Sequence, residues 1–213
     1  MIITIFTTLF LCGIDNILEK YNILGRYYFN HSIINFIITY ITFNEVILSY
    51  TDFSNIIYKP INILSIELAT SIHFYHIIIY YNKFLFDDWL HHIIMVFITL
   101  PLGIYVRCGY LLGHSLFFLT GLPGGINYLL LFLQKNNFIE KKTQKYYNYS
   151  LNLYIRQPGI IATSVIGILS IFYFDFLIFE KIFLFFIIIS HYWNGIYFME
   201  QVIKNYNLLY QTV

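Results

Sequence analysis

The sequence predicts an all-α fold: a multi-pass transmembrane bundle of about seven helices, six plus a short N-terminal one. Three observations carry that expectation. Hydrophobic residues make up 59% of the chain and charged residues only 11%, where soluble domains carry about a quarter charged. Apolar runs recur near the ~20 residues that a bilayer demands, because a backbone in hydrocarbon must satisfy its own hydrogen bonds. The connections between these runs are too brief for a soluble domain.

The first run, residues 1–14, lacks the basic start and small-residue cleavage site of a leader peptide, so it reads as a retained helix, short enough to lie in the interface. Further runs follow at about 31–51, 61–82, 88–106, 109–133, 150–174 and 177–203. The chain thus divides into an N-terminal helix and loop (1–29), a main membrane domain (30–205) and a tail (206–213).

Orientation follows from the basic residues, which favour cytosolic loops. With alternating spans, Lys20, Arg26, Lys83, Lys135, Lys141, Lys142, Lys145 and Lys204 fall on one side, and Lys59, Arg107 and Lys181 on the other. The N-terminus is therefore expected on the lumenal side and the C-terminus in the cytosol. A net charge of +1 offers no footprint for nucleic acid. Two cysteines, Cys12 and Cys108, cannot build a disulfide framework or a zinc knuckle.

The ionisable residues inside these runs are the candidates for function, since each is expensive in lipid. In "SIHFYHIII" His73 and His76 are three apart, on one helix face. In "DDWLHH" Asp87 precedes His91 by four residues and Asp88 precedes His92 by four, so each acid can reach the histidine one turn on. A carboxylate on one ring nitrogen would fix the tautomer and leave the other nitrogen a better base or nucleophile. Helix capping is the competing role for either aspartate. "GLPGGINY" places Pro123 among Gly121, Gly124 and Gly125, a break suited either to a kinked cavity wall or to close helix packing. Arg156 either snorkels to the headgroups or faces the cavity and holds a phosphate or carboxylate. "SHYWNGIYF" adds His191, Trp193 and Asn194.

The order of a "D…LHH" motif, a kinked helix, a basic loop and a last helix with "HYWNGI" resembles the TLC domain family (TRAM, LAG1 and CLN8 homology), over roughly residues 30–205. The resemblance implies a helical tunnel in the endoplasmic reticulum membrane. From the ceramide synthases of that family it implies acyl transfer from acyl-CoA by adjacent histidines, here His91 and His92, with Asp87 and Asp88 beside them. Arg107, Gly109 and His114 resemble a downstream motif of the synthases, while Ser115 and Phe118 stand where that motif has aspartates. His76 stands where the family often has an aspartate. The chain is more similar to the smaller TLC proteins linked to membrane phospholipid composition.

Three functions are therefore expected to compete. The first is an acyltransferase acting on membrane lipids, with acyl-CoA as co-substrate and no bound cofactor. Its catalytic residues are His91, His92, Asp88 and Asp87. Its substrate-binding residues are His73, His76, His114, Arg156, Trp193 and Asn194, and a homodimer is compatible with it. The second is a non-catalytic lipid-binding, trafficking or composition-regulating protein. The third is a metal-dependent lipid hydroxylase or hydrolase drawing on His73, His76, His91, His92 and His191.

Overall fold

The computed structural model describes residues 2–208. Seven helices are long and apolar enough to cross a membrane: α1 (Ile2–Lys20), α2 (Arg26–Thr51), α3 (Ile63–Lys83), α4 (Phe86–Tyr105), α5 (Tyr110–Lys135), α6 (Lys141–Tyr173) and α7 (Ile178–Asn207). No strand occurs among the described residues. The chain is an all-α, multi-pass integral membrane protein. Its outward surface is apolar, with Phe6, Phe10, Ile78, Phe97, Phe172 and Phe185 all exposed, as a lipid-facing surface requires.

Two helices are longer than the hydropathy alone indicates. α1 has 19 residues rather than about 14, because it continues past Asp15, which is buried inside the bundle. α6 begins at Lys141, so the expected basic loop is mostly helix and only a short turn joins α5 to α6. The expected tail at 206–213 starts as the last helical residues of α7, and residues 209–213 lie outside the described part.

Polar groups fix how the helices meet. The buried carboxylate of Asp15 accepts hydrogen bonds from Tyr75 and Tyr80 of α3, each at 2.7 Å, and its second oxygen lies 3.3 Å from Nε of Arg26 at the start of α2. One carboxylate thereby ties α1 to both neighbours. On the opposite membrane face, Arg107 in the α4–α5 turn donates from Nε and Nη2 to the two oxygens of Glu180, both at 2.9 Å. The Glu180 carboxylate beside it raises the Arg107 guanidinium still further, so the pair stays charged. Gly109 in the same turn has φ +50°, and a Cβ there would overlap the Ile56 carbonyl, which accepts from Tyr110 N–H at 2.9 Å. Serines and threonines within the spans mostly return their hydroxyls to the carbonyl four residues back, as Thr42, Ser49 and Ser170 do.

α2 packs between α3 and α5, α5 meets α6, α6 meets α7, and α7 meets α4. α1 lies outside this ring, against α2 and α3. The ring leaves an internal space.

Candidate functional site

Three of the ring helices carry a π-helical segment: Ile93–Thr99 in α4, Phe117–Gly121 in α5 and Asn152–Arg156 in α6. Each is followed, two residues after its end, by a proline: Pro101, Pro123 and Pro158. The cause is local. A proline ring clashes with the carbonyl four residues back and offers it no N–H, so the turn widens to the i→i+5 pattern. Thr99 exploits the wider turn, its hydroxyl reaching the Ile94 carbonyl five residues back at 2.9 Å. The break expected at Pro123 is thus present, as a widened turn just before it. The same device recurs twice where the sequence showed only single prolines.

The widened turns wall a cavity of about 570 Å³. Met95, Thr120, Asn152 and Arg156, all from π segments, line it. All six ring helices contribute, and α1 contributes nothing. Its inner part is apolar (Ala69, Ile72, Leu100, Leu116, Leu119), and its other end carries Asp87, Asp88, Gln201 and Asn205. That polar end lies beside the α3–α4 turn and the end of α7, the side expected to be cytosolic. An apolar bore with one polar end has the form of a site for a lipid chain with its reactive group near the mouth.

Five of the seven histidines line this space: His31, His73, His76, His91 and His92. His92, almost wholly buried, has Nδ1 2.6 Å from the Asp88 carbonyl oxygen. A carbonyl only accepts, so Nδ1 carries the proton and Nε2 of the neutral ring holds the lone pair. Nδ1 of His76 lies 3.0 Å from that Nε2 and must therefore be its donor. Nε2 of His76 is left as a lone pair on the cavity wall. Tyr27 supports the donor ring, with its hydroxyl 3.4 Å from the same Nδ1 and its ring centroid 4.2 Å away. His73 packs its ring 5.3 Å from His91 and 5.0 Å from His92.

The expected aspartate–histidine pairs are not formed. Asp88 turns its carboxylate back to accept the Leu85 N–H at 2.9 Å, and Asp87 accepts the Tyr197 hydroxyl. Free N–H groups at a helix start compete for a carboxylate more effectively than a neutral imidazole one turn on. The Asp88 backbone, not its side chain, fixes the His92 tautomer.

His114 does not reach the cavity. Its Nδ1 donates to Thr163 Oγ1 at 2.7 Å, whose own hydroxyl goes to the Gly159 carbonyl, and its Nε2 accepts from Tyr50 at 2.9 Å. Both ring nitrogens are used in holding helices together. His191 is also apart, with Nδ1 3.0 Å from Ser115 Oγ at a separate space of about 20 Å³, room for roughly one water. Arg156, Trp193 and Asn194 do line the main cavity, with His73 and His76. Among the described residues, no group of three or more His, Cys, Asp or Glu side chains is disposed to hold a metal ion.

Sequence reasoning missed His31, Tyr27, Asn127, Tyr128 and Asn152. His31 packs at a tilt against Tyr27 and Tyr128, with centroids 4.2 Å and 4.4 Å away, and its Nε2 has no partner. One signal existed: "NHS" sets three polar residues at the start of an apolar run, near the same membrane face as "DDWLHH". Compared with family models, curated proteins and solved structures, the chain matches none of them.

Proposed function

We propose that this integral membrane protein is a lipid-modifying enzyme that transfers an acyl group, with a His76–His92 relay supplying the base. The observation that supports it most directly is the tautomer chain from the Asp88 carbonyl through His92 to His76, ending in a lone pair on the wall of an amphipathic cavity. An acceptor hydroxyl or amine loses its proton to Nε2 of His76 as its heteroatom attacks the acyl carbonyl. The imidazolium so formed keeps its Nδ1–H on His92, where the bond becomes charge-assisted. The acyl–leaving-group bond then breaks, and His76 returns the proton to the leaving group. An acyl thioester such as acyl-CoA is the donor this reading takes, and His91 on the same wall is the neighbouring candidate nucleophile.

The resemblance to the TLC family favours the same reading, with residence in the endoplasmic reticulum membrane. The charge asymmetry favours a cytosolic mouth, where a soluble donor can arrive. The test is expression in a host stripped of its own TLC enzymes, with lipid analysis of wild type, His76→Ala and His92→Ala. A product lost in both variants while the protein stays in the membrane is expected. An unchanged lipid profile in the presence of both variants and wild type alike would turn the reading to a non-catalytic lipid binder.

A further inference from the structure

Arg156 belongs to the last turn of a π segment, about two helical turns inside the apolar part of α6. An arginine at that depth by default extends to the headgroups or pairs with a carboxylate. Here it is only partly exposed, and no carboxylate pairs with it among the described residues. It lines the main cavity, and its guanidinium lies 5.3 Å from the centre of the Phe198 ring on α7. Among the described residues it forms no ion pair, and the two cavity carboxylates, Asp87 and Asp88, are engaged by Tyr197 and the Leu85 N–H. Nε is buried without a partner. Nη1 reaches the oxygen of Asn152 only at 3.5 Å, and Asn152 is held in that pose because its amide donates to Asn148 at 2.8 Å.

A planar cation with most of its donors unused, supported from behind and facing a cavity, is a built half of a bidentate pair. The matching half is a planar or tetrahedral oxyanion. Elsewhere on the same cavity wall, Asn194 is only 4% exposed and its buried carbonyl oxygen is unpartnered. Asn127 likewise presents an unpartnered oxygen.

We infer that Arg156 is the seat of an oxyanion, a phosphate or a carboxylate, carried by the lipid that occupies the cavity, with Asn152 and Phe198 holding the guanidinium in place. The inference deepens the acyl-transfer reading by naming a charged substrate, and it rests on that reading for the word substrate alone. Binding tests it without activity.

The protein in detergent is titrated with three radiolabelled oleoyl probes: oleate, oleoyl lysophosphatidate and neutral monooleoylglycerol. Wild type should bind at least one anionic probe about tenfold tighter than the neutral one. Arg156→Gln should erase that preference while leaving monooleoylglycerol binding in place, which also shows that the variant is folded. Arg156→Lys should retain part of it, since a point charge attracts the anion without the paired geometry. Preference for oleate assigns a free carboxylate, and preference for lysophosphatidate assigns a phosphate. Equal affinity of wild type for all three, or a preference that survives Arg156→Gln, overturns the inference. His92→Ala keeps the two questions apart: it should lose lipid product and keep the anion preference. Product lost in His92→Ala alongside no dependence on Arg156 would reject the anion seat and leave the catalytic reading standing.

Discussion

Nδ1 of His76 lies 3.0 Å from Nε2 of His92, and the direction of that hydrogen bond is set by a third atom, the Asp88 carbonyl oxygen. The relay spans two helices, so neither histidine does its work alone. Replacing either with Ala should lower the rate of lipid product formation by roughly 10²–10⁴-fold, the usual contribution of a positioned base. Stability should fall by only about 1–2 kcal/mol, since bundle hydrogen bonds in membranes are individually weak. Initial rates and thermal unfolding of the same detergent preparations measure both. A His76→Ala protein with wild-type rate would remove His76 as the base.

Asp88 should behave as a helix cap. Its side chain accepts the Leu85 N–H and touches no histidine, so Asp88→Asn keeps an acceptor and should cost well under the ~1 kcal/mol of a lost cap. Activity should stay within about threefold of wild type, far above either histidine variant. A loss as deep as that of His92→Ala would return the carboxylate to the chemistry.

The spans were legible because a bilayer imposes a length and a polarity, and both are one-dimensional. The prolines were legible as interruptions. Their common outcome as π segments was not, since it depends on how the helix relieves the clash rather than on which residue causes it. The i,i+4 spacing of Asp88 and His92 was read correctly as proximity, and the choice it left open between pairing and capping falls to capping, because the N–H at the helix start takes the carboxylate. His31, Asn127 and Arg156 line one cavity only once α2, α5 and α6 pack. His114 was chosen for its motif position, and its satisfaction by Tyr50 and Thr163 depends on two other helices.

Asp15 holds α1 to α2 and α3 through three partners at once. Asp15→Ala strands two tyrosine hydroxyls and removes a charge partner of Arg26, which keeps Glu19 at 2.9 Å. A destabilisation of about 2–4 kcal/mol is expected, short of the largest losses for a fully buried pair because Arg26 is partly solvated. Thermal unfolding in detergent should show it, with Tyr80→Phe milder. An Asp15→Ala protein as stable as wild type would mean that α1 is held by packing alone.

The orientation is open to cysteine labelling. Both native sequon asparagines, Asn30 and Asn148, are buried within helices, so they report poorly on sidedness. Lys59 and Glu140, exposed in turns at opposite ends of the bundle, report better. The native thiol of Cys108 is pushed up to about 12, chiefly by burial, and should stay unreactive near neutral pH. In a Cys12→Ser background and in sealed microsomes, an impermeant maleimide should label Glu140→Cys at once and Lys59→Cys only after permeabilisation. The reverse pattern would put the cavity mouth in the lumen.

Five histidines around one cavity also raise metal binding, and metal analysis discriminates it from the relay. Two imidazole nitrogens on a tetrahedral zinc, each at ~2.0–2.1 Å, stand about 3.3 Å apart, whereas an N–H···N hydrogen bond brings them to ~2.7–3.2 Å. The observed 3.0 Å fits the hydrogen bond, and the His92 bond to the Asp88 carbonyl fits both cases, since ligating histidines are oriented in the same way. On the relay reading, purified protein is expected to carry well under one zinc or iron per chain, and chelation should leave the rate of product formation unchanged. Stoichiometric metal that disappears in His76→Ala and in His92→Ala would replace the relay by a ligand set. The base would then be a metal-bound water rather than Nε2 of His76, and hydrolysis of a lipid would displace acyl transfer as the reaction.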